Sequence, residues 1–453
     1  MHIYFENFKF KDHIIYSFET LFRCVTSEEL EFEHVSNSTQ FKTGIYYGNF
    51  CPKDFKGIVI FEGSLFSESY LKKESIPSFN IHLIDDLPAL FYSNGSFINN
   101  IFYIPNDIIQ ATFFFVTGYE EIVNSNLEHD NHFRFSVKNR FLYKFCKFKR
   151  AVVNEYAEYL YRKIVKFGFF VKPIENKVYA HVSHDVDIPF ITNKLIRCVN
   201  NLMSNIDMHL INIMHPGIKL IIDIEKKNNI KSSWYFISGG KHKPYDMEYD
   251  LCNKKILGLI NKLYELNNEI GWHYSYDAAF DKDAFICEAN RFKSILRSSL
   301  IFGRNHFLRY NIPRSWIQYK NCHLIYDSTL GSAEHEGYIF GICTPFQLFD
   351  AIEGKNLDVW ELPLIVMDVT LLSKDYRKLS FEEAFDVIKY FVNDVKKHRG
   401  VFTNLWHNSW LRDLRYKLDE KLYKEAMNYI SKELICMTGN EIISKYKDNV
   451  IYK

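Results

Sequence analysis

The stretch Tyr179-Ala180-His181-Val182-Ser183-His184-Asp185-Val186-Asp187 runs from an apolar-alternating segment into polar side chains and ends in two carboxylates one residue apart. A strand that stops this way offers acids to a metal or a substrate at the C-terminal edge of a sheet. Taken alone, the same residues also suit a turn or a helix cap, where Asp is common. Two later stretches repeat the form of an apolar strand with a polar end: Glu269-Ile270-Gly271-Trp272-His273-Tyr274-Ser275-Tyr276 and Leu405-Trp406-His407-Asn408-Ser409. Three strand ends therefore carry Asp, His and His.

In this order and spacing the three segments resemble the polysaccharide deacetylases of carbohydrate esterase family four. The match is to a branch whose first motif reads His-Asp-Val-Asp and whose last reads Leu-Trp-His-Asn, and it covers roughly residues 175 to 453. The resemblance implies a general-base role for Asp185 and a metal-ligand role for Asp187. Such a division is physically sound, because a cation held by one carboxylate polarises water while its neighbour takes the proton. His273 corresponds to the first histidine of the family's His-x-x-x-His motif, but the fourth position on is Asp277. A catalytic site usually needs three protein ligands, so either Asp277 or His306, in Arg304-Asn305-His306-Phe307-Leu308-Arg309, is expected to complete the set. The family's third motif places an arginine against the catalytic aspartate, a role open here to Arg304 or Arg309. His407 corresponds to the general acid, and an imidazole pKa near 6.5 suits it to protonate a leaving amine. Asp368 is expected to partner the catalytic histidine, while Trp406, Asn408, Tyr276 and Asp327 are expected around the substrate, Asp327 pinning an Asp-Ser-Thr-Leu-Gly loop near the cleft. His181 and His184 are read as packing or hydrogen-bonding residues, and Glu334, His335 and Glu336 as exposed loop charges.

The elements that must position these residues follow from the pattern after Val178, where strands alternate with helices. Strands are expected at 178–183, 232–237, 269–272, 324–326, 359–367 and 402–406, with helices over 216–227, 253–267, 284–299, 381–397 and 418–432. The fold class is α/β: by resemblance, a distorted, incomplete (β/α) barrel over residues 173–453, preceded by a smaller α+β domain with a connecting helix over residues 1–172. In that first domain short β-like runs alternate with turns rich in Asn, Ser and Gly, and Tyr119-Glu120-Glu121 on a helical stretch resembles the uncharacterised domain that often precedes this branch. Its paired glutamates read as a solvated helix face. The basic, Phe-interleaved segment ending in Lys144-Phe145-Cys146-Lys147-Phe148-Lys149-Arg150 reads as a linker face rather than an RNA or phosphate site.

Composition narrows the function classes. Hydrophobic residues make up 47% of 453, enough for substantial cores. Lys plus Arg (56) nearly cancels Asp plus Glu (55), so no basic field recruits nucleic acid or anionic lipid. Nine scattered cysteines without a Cys-x-x-Cys pair argue for reduced thiols. Charges stand where a signal peptide's apolar region would be, and no apolar run reaches the roughly 18 residues of a membrane span. A cytoplasmic protein without a membrane span is expected, with its oligomeric state open. No Gly-x-Ser-x-Gly, P-loop or dinucleotide-binding motif occurs.

The reading is a metal-dependent hydrolase that removes N-acetyl groups from a polysaccharide or amino-sugar substrate. Its cofactor is a divalent metal, zinc first, with cobalt, nickel or manganese as alternatives. Two rivals stay open: a catalytically silent carbohydrate-binding or assembly protein on the same barrel, and a hydrolase of another C–N bond.

Overall fold

The computed structural model describes residues 1–50, 55–79, 82–92, 102–175, 177–191, 213–240, 242, 245–246, 249–299, 301–411 and 417–448. The expectation of reduced thiols at Cys51 and Cys198 lies outside these residues. The N-terminal region opens with β1 (His2–Phe5), β2 (Glu31–His34), β3 (Gly44–Gly48) and β4 (Gly57–Phe61), followed by a hairpin of β5 (His82–Ile84) and β6 (Leu87–Ala89), and then β7 (Phe102–Ile104). Its main sheet runs β2-β1-β3-β4-β7 with every pair parallel. Parallel neighbours need crossover connections, and the helix Lys11–Arg23 supplies the first. The helix Ile108–Val116 starts where Asp107 Oδ1 accepts hydrogen bonds from the amides of Ile109 and Gln110, at 3.0 and 2.9 Å, satisfying two otherwise open donors.

The second region is a ten-stranded sheet built from β8 (Tyr179–Val186), β9 (Ser232–Ile237), β10 (Glu269–Tyr274), β11 (Ile301–Asn305), β12 (Leu324–Asp327), β13 (Phe346–Asp350), β14 (Lys355–Glu361), β15 (Val366–Met367), β16 (Val401–Leu405) and β17 (Ile435–Cys436). The order is β13-β14-β12-β11-β10-β9-β8-β16-β15, with β17 set beside the start of β8. All pairs are parallel except β13 with β14. Among the described residues β13 and β15 do not pair, so the sheet is an incomplete, distorted barrel. The expected strand over 359–367 divides into β14 and β15. After Glu361 the Leu362 amide bonds to Asp327 O at 2.9 Å, whereas the Ile365 amide bonds to Thr403 O at 3.0 Å. Pro363, which lacks a donor, lies between the two partners.

Every residue of β8 is buried, as in a parallel strand covered on both faces. The alternation of period two then sorts its polar residues. His181, Ser183 and Asp185 point into the barrel, where Arg304 reaches Ser183 and Asp185 and His181 reaches Ser233 on β9. His184 points outward, to Glu225 on the helix Pro216–Lys227 and against Trp234. On β10, Glu269 and His273 face inward while Trp272 packs outward on Phe285 of the helix Lys282–Leu296. Gly271 lies between them because Tyr235 fills the interior there: a Cβ would stand 2.4 Å from its ring.

Two stretches expected at the surface are buried. Glu120 and Glu121 face inward, where Arg140 reaches both and the Phe141 amide bonds to Glu120. His335 and Glu336 are likewise covered, held by Arg377. In both cases a distant arginine offsets the burial of the carboxylate, which local sequence does not reveal. Lysines of the basic stretch near residue 147 rest on aromatic rings of the same N-terminal region: Lys144 Nζ lies 3.8 Å from the centre of the Phe79 ring and Lys147 Nζ 3.9 Å from that of Tyr143. The two regions are joined by Tyr16, whose hydroxyl donates to Gln347 O at 2.7 Å, and by Arg23, which bonds to Gln347 Oε1 at 2.9 Å.

Candidate metal centre

Asp185 and Asp187 leave the end of β8, His273 ends the inner face of β10, and His306 follows β11 directly. The curled parallel sheet, with β9 between β8 and β10, brings these ends together, and ligand atoms from Asp187, His273 and His306 lie within 4.8 Å of one another. His273 Nε2 is 3.3 Å from Asp187 Oδ1, and His306 Nε2 is 3.6 Å from Asp187 Oδ2. Each histidine is held from behind. His273 Nδ1 bonds to the carbonyl of Arg304 at 2.9 Å, and His306 Nδ1 to Asp246 Oδ1 at 3.1 Å. Both rings therefore turn Nε2 toward Asp187, as ligating histidines do when a carbonyl or carboxylate fixes the other nitrogen.

Asp187 Oδ1 and His273 Nε2 are buried and make no hydrogen bond. Buried polar atoms are nearly always satisfied, so two orphans facing one another mark a position built for something else. One carboxylate oxygen and two imidazole nitrogens fit a divalent cation, and three protein ligands leave a coordination position open for chemistry. Burial would raise the Asp187 carboxyl, but His306, His273 and His407 hold it well below the usual carboxylate range. The cluster thus presents an ionised ligand.

Two further pairs flank the cluster. Arg304 is fully buried and meets Asp185 Oδ1 at 3.0 Å, Ser183 Oγ at 3.0 Å, Ser328 Oγ at 3.0 Å and Ser328 O at 2.8 Å. A guanidinium so completely fixed holds Asp185 in one orientation. On the other side His407 Nδ1 bonds to Asp368 Oδ1 at 2.8 Å, and Asp368 Oδ2 accepts the His407 amide at 2.7 Å. Burial lowers the His407 pKa, but Asp368, then Asp187 and Asp185, carry it up to about 10. His306 is likewise lowered by burial and raised by Asp187 and Asp246, to about 9. His407 therefore holds a proton at neutral pH, whereas His306 would give up its Nε2 proton to a bound cation.

A cavity of about 250 Å³ opens onto Asp185, Asp187, His306 and His407. Its remaining wall includes Leu308, Met367, Leu405, Trp410, Tyr376 and, from the N-terminal region, Arg134.

Several expected residues lie elsewhere. Asp277 is half-exposed and pairs with His242 Nδ1 at 2.8 Å, outside the ligand cluster. Arg309 bonds to the carbonyls of His132 and Tyr276 instead of Asp185. Trp406 and Asn408 do not border the cavity: the period of two that aims Leu405 and His407 inward turns these two away, Trp406 onto Tyr423 and Asn408 Nδ2 onto Ile188 O at 2.8 Å. Tyr276 stacks on Tyr245 with ring centroids 4.4 Å apart and bonds to His132 Nδ1 at 3.2 Å, away from the cavity wall. Asp327 is wholly buried; it accepts from Tyr274 Oη and from the amide and hydroxyl of Thr329, and so anchors its loop without meeting the cavity. Asp246, Arg134 and Trp410 were not foreseen. Period-two counting from His407 would have found Leu405, but no local signal marks Asp246 or Arg134.

Comparison with known proteins adds a distant context. Residues 1–168 match the model of a family of unknown function, DUF7033. No curated protein matches the chain. Among solved structures, the chain is similar to a protein described as a polysaccharide deacetylase from Mycobacterium smegmatis, at 13% identity and a TM-score of 0.41, covering 61% of this chain and 92% of that one. It is similar to Puue allantoinase at 10% identity and a TM-score of 0.40, over 60% and 91% of the two chains. It also matches the chitin deacetylase of the fungal pathogen Colletotrichum lindemuthianum at 11% identity and a TM-score of 0.31, over 58% and 86%. At such distance the chemistry rests on the side chains themselves. Among the described residues no helix is long and apolar enough to cross a membrane, and all seven described cysteines are free.

Proposed function

We propose that the protein is a metal-dependent hydrolase that removes N-acetyl groups from a carbohydrate. The observation that carries this reading is the pair of orphaned ligand atoms, Asp187 Oδ1 and His273 Nε2, set between a buried Asp185–Arg304 pair and a buried His407–Asp368 pair. Asp187, His273 and His306 would hold the metal, zinc by its preference for nitrogen and carboxylate donors. A bound cation would supply Lewis-acid polarisation of a water and of the amide carbonyl. Asp185, oriented by Arg304, takes a proton from the attacking water. His407, kept charged by Asp368, gives a proton to the departing amine. Atoms balance: water adds to the carbonyl carbon, the C–N bond breaks, and acetate and the amino sugar leave. The apolar wall of Leu308, Met367 and Leu405 suits an acetyl methyl, and Trp410 adds an aromatic side chain to the same wall.

The test is acetate release from N-acetylated oligosaccharides by zinc-loaded protein, with Asp185→Asn in parallel. Release by the parent and none by the variant supports the reading. Protein that takes up no zinc, cobalt, nickel or manganese would remove it in favour of a silent carbohydrate-binding barrel, and loaded protein that cleaves a different C–N bond would redirect it to another amide substrate.

A further inference from the structure

The segment that includes Arg134 lies within residues 1–168, yet its side chains reach the turn that carries His306. We infer that residues 130–134 clamp this turn and hold His306 in place as a metal ligand, so that the N-terminal region completes a site otherwise made by the barrel. The inference rests on the metal-centre reading above.

The turn needs such a restraint. Phe307 and Leu308 have φ of +61° and +52°, left-handed conformations that bulky side chains seldom adopt and that persist only where surrounding contacts hold them. Arg134 Nη1 donates to the Phe307 carbonyl at 2.8 Å. The His132 ring packs on the Phe307 ring with centroids 4.6 Å apart, and the His132 carbonyl accepts from Arg309 Nε at 3.0 Å. The turn is thus gripped at its backbone, at its side chain and one residue beyond.

The clamp is itself braced. Arg134 Nε donates to Asp130 Oδ2 at 2.7 Å, and Asp130 Oδ1 accepts the amides of His132 and Arg134 at 2.8 and 3.0 Å. Arg134 Nη2 reaches Tyr376 Oη at 3.3 Å, tying the same fork to a third part of the cleft wall. A planar fork that binds a carboxylate, a carbonyl and a hydroxyl at once is a task for arginine and not for lysine. Arg134 is therefore a positioning residue that acts on the metal through Phe307 and His306.

Cobalt titration of the full chain, followed by its visible absorption, tests the inference on the parent, His306→Ala, Arg134→Ala and Arg134→Lys. We expect Arg134→Ala to bind cobalt about 10- to 100-fold more weakly, the loss usual when a group supporting a ligand is removed, with bands shifted toward those of His306→Ala. Arg134→Lys keeps the cation beside Asp130 but not the fork, and should show the same shift to a smaller degree, which keeps the inference testable if the alanine variant misfolds. Parent-like affinity and bands in Arg134→Lys and in any folded Arg134→Ala would overturn the clamp while leaving the metal centre standing. If His306→Ala itself binds like the parent, the assignment of His306 falls and the clamp falls with it.

Discussion

Two histidine–carboxylate clusters lie on opposite faces of the sheet at β8, and they differ in how fully their polar atoms are bonded. On the outer face His184 bonds to Trp406 O at 3.0 Å and to Glu225 Oε1 at 2.7 Å, while Glu225 also accepts from Tyr423 Oη at 3.0 Å and Ser232 Oγ at 2.8 Å. Every polar atom of that cluster has a partner. On the inner face Asp187 Oδ1 and His273 Nε2 stand 3.3 Å apart and make no hydrogen bond. Residue types and burial are nearly the same, so neither distinguishes a structural pair from a reactive one. Saturation together with the open cavity does, because unbonded buried atoms also occur outside that cavity, at His13 and Asn404, whereas Asp187 lines it and keeps its binding capacity for a partner from outside.

This contrast can be broken at several points. The largest effect is expected from Asp185→Asn, which should lower kcat by about 10²- to 10⁴-fold while cobalt stoichiometry stays at the parent value; unchanged turnover would show that the inner cluster is as inert as the outer. Glu225→Ala should do the reverse. Removing one member of a buried pair costs roughly 3–5 kcal/mol, read by urea unfolding, and the protein that remains folded should still bind one metal.

Asp368→Asn sharpens the comparison through pH. His407 is raised from its ordinary 6.5 to about 10 by Asp368 and its neighbours. A raised folded-state value means that the stabilisation is fully present below pH 6.5 and is lost as pH climbs through about 10. The parent should therefore lose stability over that window, and the alkaline limb of its rate profile should fall at its upper end. In Asp368→Asn both should move to lower pH; an unmoved limb would remove His407 as the acid. The smallest effect belongs to Asp277→Ala. Its half-exposed pair with His242 is worth no more than about 1 kcal/mol, and metal affinity should not change, whereas a large loss would return Asp277 to the ligand set.

The site was legible where its residues sit on strand ends in a recognisable order. Asp185, Asp187, His273 and His407 could be nominated because apolar runs end at them in the order of the deacetylase motifs they resemble, whereas His306 entered only as one of two candidates for the third ligand. Trp406 and Asn408 were misplaced by one residue of that same periodicity, since adjacency in sequence puts side chains on opposite faces. The clamp and the Asp246 support were illegible for a different reason: Arg134 meets Phe307 across 173 residues of chain.

The amino-acid sequence by itself determined the alternation of strands and helices, the polar ends of β8, β10 and β16, and the supply of carboxylates and imidazoles. Local spacing and side-chain chemistry are enough for those. Only the tertiary structure decided that His306 and not Asp277 stands beside Asp187, that Arg304 and not Arg309 holds Asp185, and which buried pairs are satisfied. Each of these choices depends on strand order and register, which bring together donors and acceptors that no local pattern connects.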